Sequence, residues 1–205
     1  GTPNEKIASY PNPIKELGDL LAYFKTNSVI FELAKINGGT SGNLYPKGAS
    51  CTIVIDEDDH EKFEKRITTA IENFNDKYEA YGATYSYKEV KTPDTVLTNE
   101  DMNKLVSFLY TTLDGVYERD EEDEILSITN IGAIKCADET CSVYASGNSM
   151  TDIGRNQIDL SYTTICGLAD VKYTKTSSID GWSIHKPDED PFVQEVADAF
   201  KEYSD

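Results

Sequence analysis

The sequence is poor in histidine, tryptophan and positive charge. It contains 2 His and 1 Trp, and its 19 Lys and Arg are outnumbered by 37 Asp and Glu, which gives a net charge of -18. Because nucleic acids and anionic membranes repel a negative surface, the charge argues against both as partners. The sequence also has no run of roughly 18 apolar residues, the length that a membrane-spanning helix needs. We therefore expect an acidic protein that binds neither nucleic acid nor membrane.

Common catalytic motifs are missing as well. HExxH, GxSxG, GxxxxGK[ST] and GxGxxG do not occur, so metallopeptidase, acyl-transfer, P-loop and dinucleotide sites have no motif support. His60 and His185 lie far apart in polar segments, and His60 is expected on a solvated face at a helix start. The acidic runs DEDDHE and ERDEEDE lack the ligand order and central glycine of a calcium loop. We predict neither catalytic residues nor a metal site in this chain.

The 4 cysteines form no CxxC pair. Cys51, Cys136, Cys141 and Cys166 lie in apolar strand-like or helical runs, which favours buried, reduced thiols and a cytoplasmic setting. Cys136 and Cys141 flank a predicted hairpin loop, so a disulfide between them is the alternative.

Hydrophobic periodicity predicts the order α-β-β-α-β in the first half of the chain. A helical stripe follows Pro13, which suits a first turn. β-Branched and aromatic residues predict strands at 28–36 and 48–56. Helical spacing then runs from 58 to 78, and a third strand is predicted at 83–90.

The same order begins again in the second half. Its predicted elements are a helix from Met102 to Leu113, an acidic loop at 118–124, hairpin strands at 126–136 and 141–148, a helix from about Thr151, and a closing strand at 171–178.

A short sequence echo supports a duplication. Asn37-Gly38-Gly39, at the end of one strand, is repeated as Asn130-Ile131-Gly132 at the matching point of the second half. The fold class expected is α+β, with two ferredoxin-like α-β-β-α-β units, each of which forms an antiparallel sheet with helices on one face. The halves are 1–95 and 96–205, and the second includes a last helix from Pro191.

The segment NGGTSGNLYP at 37–46 is the strongest candidate for a site. A glycine-permitted loop between strands is its plain interpretation, with Gly38, Gly39 and Thr40 as loop-forming residues. The segment is longer than a tight hairpin requires, and loops of this kind often carry function. The carboxamide of Asn43 can offer an N–H to a carbonyl or carboxylate, so Asn43 is the predicted substrate-binding residue.

Several segments resemble one enzyme family. Asn37-Gly38-Gly39-Thr40, Asn43 and Pro46 match an N-G-G-T-x-x-N-x-x-P motif, and Gly181-Trp182, Pro187 and Pro191-Phe192 follow in the expected order. The pattern is similar to the lid, or dimerisation, domain of aminoacyl-histidine dipeptidases, also called Xaa-His dipeptidases or peptidase D. These are co-catalytic zinc peptidases. The resemblance covers essentially the whole chain.

The resemblance implies a noncatalytic lid domain. Two zinc ions and the HxD, Asp, Glu-Glu and His groups that bind them would belong to a catalytic domain outside this chain. The lid would close over a dipeptide, exclude water and orient the scissile bond or terminal carboxylate, with Asn43 at the position of the family's substrate-contacting Asn. The implied partners are its own catalytic domain, the dipeptide and a second copy in a homodimer. Whether the parent is an active hydrolase stays open.

Two family features are absent. The family's GGHSG-type segment supplies a His, whereas this chain starts Gly1-Thr2-Pro3 and its first His is His60. Asn148-Ser149 stands where the family has Arg-Ser, and Asn offers neither a guanidinium fork nor a positive charge. The alternatives are therefore the lid of a degenerate peptidase homologue, a stand-alone module that binds a small ligand or peptide, and an acidic adaptor for a basic protein.

Overall fold

Two helix–hairpin–helix segments follow one another along the chain. The structure, a computed structural model, describes residues 9–137, 140–179 and 189–203. The helices are α1 (Pro13–Thr26), α2 (His60–Tyr78), α3 (Asn99–Thr111), α4 (Asp152–Leu168) and α5 (Pro191–Tyr203). The strands are β1 (Phe31–Gly39), β2 (Ala49–Ile55), β3 (Gly115–Arg119), β4 (Ile125–Ala137) and β5 (Thr140–Ser149).

All five strands belong to one antiparallel sheet. β1 pairs with β2 along its length, and β4 pairs with β5 along its length. Since β5 occupies one edge of β4, β1 and β3 share the other edge, with β3 at the start of β4 and β1 near its end. The α+β class and an antiparallel sheet with packed helices are confirmed, but both halves share one sheet where we expected one sheet in each unit. The two predicted halves, 1–95 and 96–205, remain a sequence-level division, because both contribute strands to this sheet.

The core lies between the helices and one face of the sheet. On β1, Phe31, Leu33 and Ile36 are buried whereas Glu32 and Lys35 are exposed, and a bulge between Leu33 and Lys35 keeps the apolar residues on one face. The fully buried large apolar side chains come from α1, α3, β1 and β4, namely Ile14, Leu21, Phe24, Leu33, Ile36, Leu109, Ile131 and Ile134. Packing therefore unites both halves of the chain.

The two predicted closing strands are wrong. Residues 83–90 and 171–178 are not in strands. Their tyrosines pack on helices instead, since the Tyr85 ring lies 4.9 Å from that of Phe74 on α2 and the Tyr173 ring is stacked 6.5 Å from that of Tyr162 on α4. The alternation that suggested strands is thus satisfied by aromatic contacts with the preceding helix, in the same way in both halves.

A strand that the sequence did not predict replaces part of the acidic loop. β3 covers Gly115–Arg119 and pairs with the start of β4. The predicted loop begins only after it, where the Asp120 carboxylate accepts hydrogen bonds from the backbone N–H of Glu122 at 3.0 Å and Glu124 at 2.8 Å. The sequence did not predict this strand because acidic residues continue into it. Glu118 lies on the strand and accepts a hydrogen bond from the buried Ser127 at 2.9 Å.

The cysteine prediction is wrong for one pair. Cys136 and Cys141 form a disulfide, because the register of β4 and β5 places them opposite each other with Cα atoms 4.0 Å apart. Cys51 and Cys166 are free thiols, half-buried and buried respectively, as predicted. A cytoplasmic setting therefore loses the support that four reduced thiols would give it.

Residues Lys175–Asp205 form a separate compact unit from Gly1–Thr174. Its helix α5 begins at Pro191 as predicted, and the Asp190 carboxylate caps it by accepting from Phe192 N at 2.9 Å and Val193 N at 3.1 Å. Gly181-Trp182, His185 and Pro187 lie outside the described residues. Within the described ranges, no helix has the length and apolarity to cross a bilayer.

One buried hydroxyl gives a stability prediction. The hydroxyl oxygen of Tyr85 is buried and has no hydrogen-bond partner among the described residues, so Tyr85→Phe removes a desolvation cost. We expect urea denaturation to show a free energy of unfolding higher by about 1 kcal/mol.

The matched control is Tyr162→Phe. The Tyr162 hydroxyl donates to the carbonyl of Leu113 at 3.2 Å, so this variant should be less stable than the wild type by about 1 kcal/mol. A loss of stability in both variants would show that the Tyr85 hydroxyl has a partner.

Candidate functional site

The segment NGGTSGNLYP is partly strand and partly loop. Gly38 and Gly39, predicted as loop-forming, are the last two residues of β1 and pair with Ile134 and Ala133 of β4. Thr40 is exposed and starts the connection to β2. The glycines therefore serve strand pairing, and the loop that could meet a ligand begins after them.

Close backbone approach explains two of the glycines. Gly39 has φ +62°, and a Cβ on it would lie 2.0 Å from the carbonyl oxygen of Gly132. A Cβ on Gly132 would lie 2.2 Å from the carbonyl oxygen of Ser41 and 2.4 Å from that of Gly42. A side chain at either position would separate β1 from β4 or displace the loop.

The echoed asparagines bind across the junction of the two halves, where residues 37–39 of β1 pair with residues 133–135 of β4. Asn37 Oδ1 accepts from the backbone N–H of Cys136 at 3.2 Å, and Asn130 Nδ2 donates to the carbonyl of Leu44 at 3.1 Å. Each asparagine thus contacts the opposite half of the chain. The Asn-x-Gly echo predicted as a trace of duplication lies where the two halves join.

Asn43 lies at the exposed tip of the loop. Its Oδ1 accepts from the Ser41 hydroxyl at 2.7 Å, and the backbone N–H of Leu44 closes the turn onto the Ser41 carbonyl at 3.1 Å. Pro46 is buried, and the Tyr45 hydroxyl donates to the carbonyl of Tyr10. Asn43 is therefore presented on a loop whose base is fixed, and its substrate-binding role stays a prediction.

A buried polar cluster next to this loop was missed from the sequence. Asp114 Oδ1 accepts from Asn12 Nδ2 at 2.6 Å and from the backbone N–H of Ile131 at 2.9 Å. Asn12 Nδ2 also donates to the carbonyl of Ile131 at 3.0 Å, and Asn12 Oδ1 caps α1 by accepting from Ile14 N at 3.0 Å. An asparagine before Pro13 was the available signal for this cap.

The cluster holds a carboxyl group with a perturbed pKa. Burial raises the pKa of Asp114 to about 6, against the opposing effect of the hydrogen bonds from Ile131 N–H and Asn12. Burial, and then the negative charge of Asp114, also raise the pKa of the Tyr45 hydroxyl, which keeps Tyr45 neutral. The charge of Asp114 therefore changes in mildly acidic solution.

The other residues considered from the sequence lie elsewhere. His60 is exposed, with Nε2 3.8 Å from Glu64 Oε1, as expected for a solvated helix face. Asn148 is exposed on β5 opposite Ile128, and the Ser149 hydroxyl accepts from the backbone N–H of Thr151 at 3.1 Å. The described residues contain no group of three or more His, Cys, Asp and Glu that could hold a metal ion.

The fold defines a class of structure, an α+β domain with a duplicated helix–hairpin–helix order around one antiparallel sheet. The chain matches no protein-family model and no curated protein sequence. It is similar to the crystal structure of aminoacylhistidine dipeptidase from Vibrio alginolyticus, with a TM-score of 0.71 and 21% sequence identity. The match covers 78% of this chain and 33% of the dipeptidase, so the chain has the fold of about a third of that protein.

The junction gives a second stability prediction. Gly132→Ala places a methyl group against the Ser41 carbonyl, so we expect the free energy of unfolding to fall by about 2–3 kcal/mol in urea denaturation. Gly48→Ala is the control, since a Cβ there meets nothing within 4 Å, and it should change stability by less than about 0.5 kcal/mol. Equal effects of the two substitutions would contradict the close approach.

Asp114 gives a pH prediction. Because its pKa is about 6 in the folded protein and near 4 when exposed, the folded state holds the proton more tightly between these values. Its contribution to the free energy of unfolding therefore falls as pH rises from about 4 to 6, by an amount on the order of 2 kcal/mol.

Asp114→Asn keeps the oxygen that accepts from Asn12 and Ile131 but does not titrate. Relative to the wild type, this variant should gain stability as pH rises from about 4 to 7 in urea denaturation. The exposed Asp76→Asn serves as the control for loss of one negative charge. Parallel stability curves for the wild type and Asp114→Asn would show that Asp114 titrates normally.

Proposed function

We propose that this chain is the noncatalytic lid domain of a zinc metallo-dipeptidase of the aminoacyl-histidine type. The observation that carries the proposal is the structural likeness to about a third of an aminoacylhistidine dipeptidase. The N-G-G-T-x-x-N-x-x-P pattern supports it independently, because its glycines occupy the sheet junction and its second Asn lies at the tip of the adjoining loop. The lid would close over a dipeptide and orient it for hydrolysis.

Asn43 would be the lid's contact with substrate. The residue is exposed, while the base of its loop is fixed by the bond from Asn130 to the Leu44 carbonyl and by the buried Pro46. A rigid base keeps a loop carboxamide in one position, which lowers the entropy lost when it binds a substrate carbonyl or carboxylate. The donor in this role would be Asn43 Nδ2, since its Oδ1 accepts from Ser41.

Zinc does not fit the described part of this chain. Because no cluster of three or more potential ligands is found among the described residues, we assign the two zinc ions of the proposed parent to its catalytic domain. That domain and the dipeptide are the proposed partners. We further propose a homodimer that forms through the outer edge of β2, since among the described residues β2 pairs only with β1, on its other side. Sedimentation tests this proposal.

The proposal predicts a specific effect of Asn43→Ala in the full-length parent. Turnover of an Xaa-His dipeptide at saturating substrate should fall about 10- to 100-fold, because one oriented donor is lost. The free energy of unfolding should change by less than about 0.5 kcal/mol, since an exposed loop side chain contributes little to the core. Steady-state kinetics and urea denaturation measure the two quantities.

Asn156→Ala is the matched control. Asn156 is exposed on α4, so its loss should change neither turnover nor stability. Equal turnover of the wild type and Asn43→Ala would remove Asn43 from the site. Hydrolysis of the dipeptide by this isolated chain with added zinc, at the rate of the full-length parent, would contradict the noncatalytic assignment.

A further inference from the structure

A cleft opens between α1 and α2, away from the sheet junction. Its volume is about 250 Å³, below the roughly 300–1,000 Å³ of pockets that hold drug-sized molecules. Its size therefore suits one amino-acid side chain or a ligand of similar size. Most of the residues that line it are only partly buried, so solvent reaches it.

The apolar part of the cleft is aromatic. Tyr23 lines it from α1, and Phe74, Tyr78 and Tyr85 line the other side. The Phe74 ring centroid lies 4.9 Å from that of Tyr78 and 4.9 Å from that of Tyr85, so these three rings form one continuous surface. Aromatic faces carry partial negative charge and attract cations that lie over them.

Two carboxylates of α1 face this aromatic surface. Glu16 and Asp19 both line the cleft, and Glu16 Oε1 accepts from the Tyr78 hydroxyl at 2.7 Å. Carboxylates beside aromatic rings in a half-buried setting favour a positively charged group over a neutral one. The chain as a whole carries a net charge of -18, which further attracts cations.

Two lysines of the chain already lie at these groups. Lys15 forms an ion pair with Asp19, and Lys77 contacts the aromatic surface. Lys77 Nζ lies 4.6 Å from the centroid of the Tyr78 ring. Its contact with Tyr78, followed by the negative charges of Glu16 and Asp19, raises the pKa of Lys77. The exposed Lys77 is therefore an internal cation at the edge of the cleft, and it competes with any other cation for the same groups.

We propose that this cleft binds a guanidinium or ammonium group on an aliphatic stem, such as an arginine side chain. The stem would lie against the rings of Tyr23 and Phe74, and the cationic head would take the place of the Lys77 ammonium beside Glu16 and Asp19. The site would be independent of the proposed lid function, since it shares no residue with the loop at 40–48.

A neutral isostere tests the charge requirement without any mutation. Nα-acetyl-L-arginine amide should shift the amide NMR signals of residues that line the cleft. Nα-acetyl-L-citrulline amide, which has the same shape without the charge, should bind at least about 10-fold more weakly. Equal affinities for the two compounds, or shifts spread over the whole surface, would overturn the proposal.

Substitutions then test the assigned groups in the same titration. Glu16→Gln should weaken binding of the arginine compound about 5- to 10-fold. Glu72→Gln changes the net charge by the same amount, but Glu72 does not line the cleft, so this variant should leave the affinity unchanged. Lys77→Gln should strengthen binding, because the internal competitor is removed. Weaker binding in Lys77→Gln would show that Lys77 supports the site instead of competing for it, and would contradict the proposal.

Discussion

Three residue pairs between β1 and β4 hold the two halves of this protein in one sheet. They form only because Gly39 and Gly132 allow the backbones to approach more closely than any side chain permits. The asparagines of the same repeated element then cross the junction and bind backbone groups of the opposite half. The repeated Asn-x-Gly element therefore lies at the interface between the two halves, and the shared core forms around it.

The junction also determines where the loop that carries Asn43 lies. The chain leaves β1 at Gly39, passes over Gly132 and returns through the buried Pro46, so Asn43 is exposed on a loop with a fixed base. Beside the base, Asp114 and Asn12 connect the start of α1 to Ile131. The proposed lid role uses this rigidity, because a substrate-orienting group must not lose its position when the site closes.

The sequence predicted helices and hairpins well because their periods report burial directly. The predictions from the sequence were wrong where one sequence pattern fits more than one packing partner. Tyr85 and Tyr173 alternate as strand residues do, yet each packs on the helix before it, and no local pattern distinguishes these partners. The sequence predicts a loop at Glu118, yet this residue lies on a strand beside a buried serine. The disulfide depends on the register between β4 and β5. The Asp114 cluster depends on a contact between residues about a hundred positions apart. Periodicity encodes neither of them.

Native-state hydrogen exchange of the whole chain tests the central role of the junction most directly. If the β1–β4 pairs hold the two halves together, backbone amides in these pairs exchange only through global unfolding, with the same free energy as amides between β4 and β5. The contradicting result is exchange at the junction through a lower-energy opening while the β4–β5 amides remain protected. Such an opening would mean that the halves are separate units that touch, rather than one sheet built on a shared glycine contact.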